Sequence, residues 1–121
     1  MNNKQTGKLG EDMACDYLTQ LGYDVIERNF QKRSGEIDII AWDNKEEEFV
    51  FVEVKHRKTD IVGRPEEAVT SGKIKKIIST AYQWLEERDI DDPWRIDIIS
   101  ITNNDIKHFT NISQEMDDIL S

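Results

Sequence analysis

The sequence predicts an α/β fold in which helices flank a mixed β-sheet. Apolar residues recur at helical spacing over residues 7–21 and again over residues 70–88. Between these helices lie three apolar β-like segments joined by short polar turns, as in an antiparallel meander. A fourth β-like segment, residues 94–102, follows the second helix, which allows a crossover back to the sheet. A short final strand is expected at residues 106–109.

The first predicted helix has one glycine within its apolar stripe and another directly after its end. Gly10 lacks a side chain, which allows close approach to the sheet, and Gly22 fits the position that terminates a helix. Glu11 lies just past the edge of the apolar arc, so its carboxylate borders the core. Two interpretations of Glu11 stay open: a residue of a functional site, or a first-turn acid that complements the helix dipole.

Two strands of the meander carry acidic residues within apolar runs. They span residues 35–43 and 48–57, joined by a polar loop of about four residues. If Asp43 pairs with Glu48 across that loop, Asp38 lies opposite Glu53 on the same face. Strand alternation also places Glu53 and Lys55 on one face. This register therefore gathers two acids and an amine.

The strand at residues 35–43 is predicted to have an acidic face and an apolar face. Strict alternation along residues 35–43 places Glu36 and Asp38 on one face. It places Ile37 and Ile39 on the opposite face. Both acids are therefore expected on the side of the sheet that holds the acidic cluster.

The acids of these strands need compensation if they are buried. A carboxylate buried without a partner costs several kcal/mol. A divalent cation held by Asp38 and Glu53 would compensate both acids, and a lysine beside such an ion suggests hydrolysis of phosphodiester bonds. A cross-strand ion-pair cluster of Asp38, Glu53 and Lys55 is the structural alternative.

Length and composition favour one domain, residues 1–121, with flexible ends expected at residues 1–6 and 113–121. No apolar run reaches the roughly 20 residues that a membrane span needs, so no membrane partner is expected. Cys15 is the one cysteine of the chain, so no intrachain disulfide is possible. This cysteine content fits a reducing cytoplasm.

Charge is distributed unevenly along the chain. The formal net charge of -9 argues against indiscriminate binding of polyanions. Between Lys55 and Lys76, however, seven basic residues outnumber three acidic ones. Positive charge therefore collects next to the acidic cluster, and Arg57, Lys58 and Lys73 are candidate contacts for nucleic acid.

Structural roles are predicted for several other polar residues. His56 is expected to be a packing or surface residue, and His108 is not expected to be a ligand. Arg95 and Asp97 alternate on one face of their strand and are expected to form an ion pair. Thr70 is the candidate N-cap of the second helix.

Several sequence blocks, taken in order, resemble one protein family. Asp38 followed by Glu53-x-Lys55, on the second and third strands of an αβββαβ core, resembles the PD-(D/E)xK or restriction-endonuclease-like nucleases. More specifically, the chain is similar to the YraN-type family of uncharacterised bacterial proteins, which is akin to archaeal Holliday-junction resolvases. The blocks extend from residue 7 to about residue 111: Gly7-x-x-Gly10-Glu11, Gly22-Tyr23, Arg28-Asn29-Phe30, Gly35-Glu36-Ile37-Asp38, Phe51-Val52-Glu53-Val54-Lys55 and Glu67-Ala68-Val69.

The resemblance implies a set of site residues and a cofactor. Asp38 and Glu53 would bind Mg²⁺ or Mn²⁺, with the carbonyl of Val54 as a further ligand. Lys55 would act as a general base or stabilise the transition state. Glu11 would be a helix-borne acid that completes the site.

The resemblance also implies an activity, a metal-dependent endonuclease acting on DNA, with branched or junction DNA among its substrates. Resolvases of this superfamily act as dimers, so a homodimer is one expected form. Two alternatives stay open because superfamily members can lose catalysis. The domain would then be a non-catalytic nucleic-acid-binding module, or a protein-interaction domain whose acidic surface meets a basic partner.

Overall fold

The computed structural model describes residues 3–57, 71–103 and 105–112. Within them the elements follow one another in the predicted order. The candidate cap Thr70 and the end at residues 113–121 lie outside the described residues. The elements are α1 (Asn3–Gln20), β1 (Asp24–Lys32), β2 (Gly35–Asp43), β3 (Glu48–Arg57), α2 (Ser71–Glu87), β4 (Trp94–Thr102) and β5 (Asp105–Phe109).

The strands form one mixed sheet in the order β1-β2-β3-β4-β5. β1, β2 and β3 are an antiparallel meander, as predicted, and β5 runs antiparallel to β4. β3 and β4 pair in parallel, and α2 lies in the connection between them. This architecture confirms the predicted α/β class and agrees with an αβββαβ core.

The two helices pack on opposite faces of the sheet because the central strands alternate two apolar sets. Leu18 of α1 packs against Val52 of β3. Trp84 of α2 packs against Phe51, the neighbouring residue on the same strand, and therefore covers the other face. Among the described residues, neither helix is long and apolar enough to cross a membrane.

α1 begins at Asn3, four residues before the predicted start. The backbone of residues 3–6, expected to be a flexible end, is therefore helical. Glu11 consequently lies in the third turn of the helix rather than in the first. Because the helix dipole acts mainly over the first turn, the dipole interpretation of Glu11 is wrong.

Two glycines determine where α1 ends and how closely it packs. Gly22 has a φ of 94°, and the Tyr23 N–H donates to the Leu18 carbonyl at 3.0 Å, which is the geometry of a glycine-terminated helix. A Cβ at Gly10 would lie 3.1 Å from the Cβ of His56 on β3. Gly10 therefore allows close approach to the sheet, and His56 is a packing residue, as predicted.

The register of β2 and β3 agrees with the prediction. Asp43 pairs with Glu48 across the loop, and the ladder continues to the pair of Ile39 and Val52. The Asp43 carboxylate also accepts a hydrogen bond from the Lys45 N–H at 2.9 Å, which holds the turn. The loop therefore fixes which residues of the two strands face each other.

β2 and β3 separate at the end of this ladder. Among the described residues, the last pair of the ladder is Ile39 and Val52. The start of β2 continues to pair with β1, and β3 continues to pair with β4 as far as Arg57. The next residues of the two strands are Asp38 and Glu53, which therefore lie at the opening. We call this opening the strand fork.

Alternation along β2 is interrupted at Asp38. Ile37 packs in the core beneath α2 together with Phe30, whereas Ile39 packs in the core beneath α1. The prediction that Ile37 and Ile39 share a face is therefore wrong. Asn29 on β1 has a φ of 54°, and within the described ladder no pair joins Asn29 to Asp38. This local irregularity changes the direction of the strand at the acid.

Candidate functional site

A small pocket opens at the strand fork. Its volume is about 130 Å³, and α2 contributes part of its wall. Asp38 and Glu53 both line the pocket, so the structure brings the two predicted acids to one place. The other lining residues are Gly35, Glu36, Lys73, Lys76 and Ile77.

Asp38 is a half-buried carboxylate with little compensation for its charge. Its Oδ2 accepts a hydrogen bond from the Val54 N–H at 2.8 Å, which spans the fork. Among the described side chains it forms no ion pair. Burial, followed by the charge of Glu53, raises the pKa of Asp38 to about 7. The carboxylates of Glu11 and Glu36 act on this pKa in the same direction.

Glu53 is almost inaccessible and is paired with two lysines. Only 6% of the residue is exposed. The Nζ of Lys73 on α2 lies 2.6 Å from Glu53 Oε1, and the Nζ of Lys55 lies 3.4 Å from the same oxygen. Cations from two different elements therefore compensate this buried carboxylate.

The two ammonium groups influence each other. Burial lowers the pKa of Lys55, and a hydrogen bond with Lys73 acts in the same direction. Burial also acts to lower the pKa of Lys73, but its contacts with Glu53 and Lys55 and the charge of Asp38 together outweigh burial and raise that pKa. Lys73 is therefore held in its charged form, while Lys55 loses its proton more easily.

Glu11 lies on α1 and is not among the residues that line the pocket, although its charge acts on the pKa of Asp38. Its Oε1 is buried and has no hydrogen-bond partner among the described residues. Burial raises the pKa of Glu11, with Arg28 opposing the rise and Glu36 adding to it. Buried acceptors normally find a donor, so an unsatisfied oxygen near the fork fits a site that receives a cation or a water.

The donor set at the fork fits a hard divalent cation. Mg²⁺ prefers oxygen ligands and keeps several waters, so two carboxylates are enough to hold it. Asp38 and Glu53 supply these carboxylates. Within the described parts of the chain, no three Asp, Glu, His or Cys side chains converge to enclose a metal ion by themselves. The Val54 carbonyl as a further ligand stays a prediction, because the contact of Val54 at the fork is its N–H bond to Asp38.

The predicted nucleic-acid contacts have different outcomes. Lys73 lies at the pocket, in contact with Glu53. Arg57 is the last residue of β3, and its side chain lies outside the described residues, as does all of Lys58. One member of the basic region is therefore placed directly beside the acids.

A second charged cluster lies at the other end of β2 and β3, near their loop. The Arg95 Nε donates to Asp97 at 3.0 Å, which confirms the predicted ion pair. The same guanidinium donates to Asp43 at 2.8 Å and to Glu48 at 2.6 Å. His108 Nε2 lies 2.7 Å from Asp97, so His108 is a buried structural residue. We call these five residues the Arg95 network.

Three members of the Arg95 network, Asp43, Arg95 and Asp97, are held in their ionised forms. Burial opposes ionisation of Asp97, yet His108 and Arg95 together lower its pKa. The pKa of Asp43 is lowered in the same way, against burial, by its hydrogen bond with Arg95. The pKa of Arg95 is raised by Asp97 and its other carboxylate partners. A pocket of about 490 Å³ adjoins the network.

Comparison with known proteins identifies the family. The family model described as uncharacterised protein family UPF0102 matches residues 10–101. The chain belongs to the UPF0102 family. A UPF0102 protein of Persephonella marina is 50% identical over 106 residues, which cover 87% of this chain and 90% of the relative. The UPF0102 match confirms the resemblance to the YraN-type family.

Two further UPF0102 relatives match over similar lengths. A protein of a Sulfurihydrogenibium species is 42% identical over 112 residues, or 92% of this chain and 96% of the relative. A protein of Geobacter metallireducens is 47% identical over 103 residues, or 84% of this chain and 83% of the relative. The segment matched by the UPF0102 family model, residues 10–101, contains every acid and lysine of the fork.

The contact between Lys73 and Glu53 is the feature of the site that the sequence did not predict. The two residues belong to α2 and β3, which residues 58–70 separate, so no rule of strand or helix spacing links them. The excess of basic residues between Lys55 and Lys76 was the one sequence feature that pointed to Lys73. It predicted a contact of Lys73 with phosphate, but not its ion pair with Glu53.

Proposed function

We propose that this UPF0102 protein hydrolyses phosphodiester bonds in DNA with a divalent cation held at the strand fork. One observation carries the proposal: Asp38 and Glu53 line one pocket together with a lysine from α2. Asp38 forms no ion pair among the described side chains, and its pKa is raised to about 7. Such perturbed acids in a cleft are typical of functional sites. The resemblance to PD-(D/E)xK nucleases assigns the same residues, Asp38 and Glu53, to metal binding.

Each residue of the fork has a distinct task in this proposal. Asp38 and Glu53 hold Mg²⁺ or Mn²⁺, which when bound supplies Lewis acidity toward the phosphate and lowers the pKa of water. The Val54 N–H fixes the orientation of Asp38. Lys55 orients the attacking water or, when charged, stabilises negative charge that develops on the phosphoryl oxygens. Glu11 offers its unsatisfied oxygen to a water or to the cation.

Branched or junction DNA is the substrate class we propose to test first. The YraN-type family is akin to resolvases, which act as dimers because a junction offers two strands to cut. Two copies of this chain would then bind one junction. The acidic net charge of -9 disfavours indiscriminate binding, which suits a structure-selective enzyme. Sedimentation of the protein with and without a junction measures the stoichiometry.

Cleavage by the purified protein tests the proposal. Junction, duplex and single-stranded DNA and matched RNA are incubated with Mg²⁺, Mn²⁺ or EDTA. We expect metal-dependent cleavage of DNA that is lost in Asp38→Asn and in Lys55→Ala. Asp105→Asn, an exposed acid on β5, serves as the control and keeps activity. Cleavage that survives in a purified double variant of Asp38 and Lys55 would contradict the proposal.

A non-catalytic nucleic-acid-binding module is the second candidate function. It is favoured by the contacts of Lys73 and Lys55 with Glu53, which neutralise this acid without a metal. In that case Lys73→Ala weakens DNA binding and reduces its salt dependence, while Asp38→Asn leaves binding unchanged. Fluorescence anisotropy with labelled DNA in EDTA separates this candidate from the nuclease.

A further inference from the structure

Lys73 places a positive charge where a metal-binding acid would receive its ion. Its Nζ lies 2.6 Å from Oε1 of Glu53, and it lines the same pocket as Asp38. The Lys73 side chain is 40% exposed, whereas that of Glu53 is 8% exposed. The ammonium group therefore reaches from the solvent side to a carboxylate that solvent hardly touches.

The two lysines differ in how readily they can leave Glu53. Lys55 belongs to β3, only two positions from Glu53 on the same face of the strand. Lys73 lies in the first turn of α2, which begins at Ser71, and reaches Glu53 through its flexible side chain. Lys73 is therefore the cation that can move away while the fold of the sheet stays intact.

A divalent cation and the Lys73 ammonium compete for one oxygen. A divalent cation lies about 2.1 Å from the carboxylate oxygens that bind it. At such short separations two positive groups on the same oxygen repel each other strongly. Binding of the ion therefore favours departure of Lys73 from Glu53.

We propose that Lys73 is the internal counter-ion of Glu53, that a divalent cation displaces it, and that the displaced ammonium then contacts a phosphate of the nucleic acid. The inference rests on the proposed function and adds the residue that couples metal binding to substrate binding. It assigns Lys73 to both steps.

The charge balance of the fork supports this coupling. Without a divalent cation, the ammonium groups of Lys55, Lys73 and Lys76 face the ionised carboxylates of Asp38, Glu53, Glu11 and Glu36, which leaves one excess negative charge. Such a pocket repels phosphate. A bound divalent cation adds two positive charges, so the pocket attracts phosphate only when it is loaded.

Titration of Mn²⁺ into the full chain by calorimetry tests the inference. Lys73→Met removes the competing ammonium, so we expect this variant to bind Mn²⁺ at least tenfold more tightly than the wild type. With Ca²⁺ present, we expect Lys73→Met to bind a four-way junction at least tenfold more weakly. Lys75→Met, an exposed residue of the same helix, is the matched control and should leave both affinities unchanged.

Each outcome of the titration decides a different point. Equal or weaker Mn²⁺ binding by Lys73→Met than by the wild type overturns the inference and leaves the proposed function standing. Tighter Mn²⁺ binding by Lys73→Met than by the wild type supports the inference. Absence of binding in both proteins overturns the inference and the proposed metal site together. Lys73→Gln, which keeps a hydrogen-bond donor, replaces Lys73→Met in the same titration if the latter fails to fold.

Discussion

The strand fork and the Arg95 network both bury acids on neighbouring strands, but they differ in how fully those acids are satisfied. Asp97 accepts hydrogen bonds from Arg95 and from the Asn111 N–H and contacts His108, and its pKa is lowered. Asp38 accepts one backbone hydrogen bond, and its pKa is raised to about 7. The Arg95 network stabilises the charged form of its carboxylate, whereas the strand fork destabilises the charged form of Asp38.

This difference shows that a buried acid is not by itself a sign of function. A network whose polar groups are all bonded fixes a unique arrangement of strands, and it loses stability when one member is removed. An acid left without compensation destabilises the unloaded fold and is expected to gain its partner from a ligand. Variants of the strand fork should therefore affect catalysis most, and variants of the Arg95 network should affect stability most.

The largest expected effect is on catalysis at the fork. Asp38→Asn keeps the shape of the side chain but removes the charge that holds the ion. We expect the single-turnover rate of DNA cleavage to fall at least about 1000-fold, which corresponds to roughly 4 kcal/mol in the barrier. The free energy of unfolding should stay the same or rise, because a carboxylate that opposes Glu53 is gone. An unchanged cleavage rate would show that Asp38 is not part of the catalytic site.

The next largest effect is on stability at the Arg95 network. Asp97→Ala removes the fully buried carboxylate that Arg95, His108 and the Asn111 N–H contact. We expect the free energy of unfolding to fall by about 3 to 5 kcal/mol, measured by urea denaturation. Asp105→Ala on β5 is the exposed control. A loss similar to that of the control would mean that the network does not stabilise the fold.

The pH dependence of stability should also separate the regions. Asp38 has an ordinary pKa of 3.8 and a folded pKa of about 7, so the folded state binds its proton more tightly. Stability of the metal-free protein should therefore fall as pH rises from 5 to 7, by about 2 kcal/mol. Asp43 and Asp97 of the Arg95 network have lowered pKa values and cannot produce this decline. The Asp38→Asn variant should lack this decline in stability. A decline that persists in the variant would show that other groups cause it.

The smallest effect is expected at a partly exposed ion pair that belongs to neither region. Asp12 on α1 lies 2.9 Å from Arg28 on β1, and their side chains are 46% and 33% exposed. Asp12→Asn should change the free energy of unfolding by no more than about 0.5 kcal/mol in urea denaturation. A loss as large as that of Asp97→Ala would show that distance, rather than burial, controls the strength of ion pairs in this sheet.

The sequence predicted the parts of the site that depend on local pattern. The bounds of β2 and β3 and the pairing of Asp43 with Glu48 follow from strand alternation and from a short loop, both of which are local. The Arg95–Asp97 pair was predicted for the same reason. These features together predicted that Asp38 and Glu53 lie close together on neighbouring strands.

The remaining features depend on contacts between distant elements. Lys73 reaches Glu53 because α2 packs over the fork, and no spacing rule encodes that contact. The change of face at Ile37 lies opposite the left-handed Asn29 of the neighbouring strand, a feature that strand alternation does not encode. The early start of α1 at Asn3 carried no apolar signal, because residues 3–6 are polar.

The central claim is that Asp38 and Glu53 hold a divalent cation, and calorimetric titration of Mn²⁺ tests it without any choice of substrate. The account predicts saturable binding to the wild type and to Asp105→Asn, and binding at least about 100-fold weaker, or a loss of roughly 2.7 kcal/mol, in Asp38→Asn. Equal binding by the wild type and Asp38→Asn, or no binding by either protein, would contradict the account.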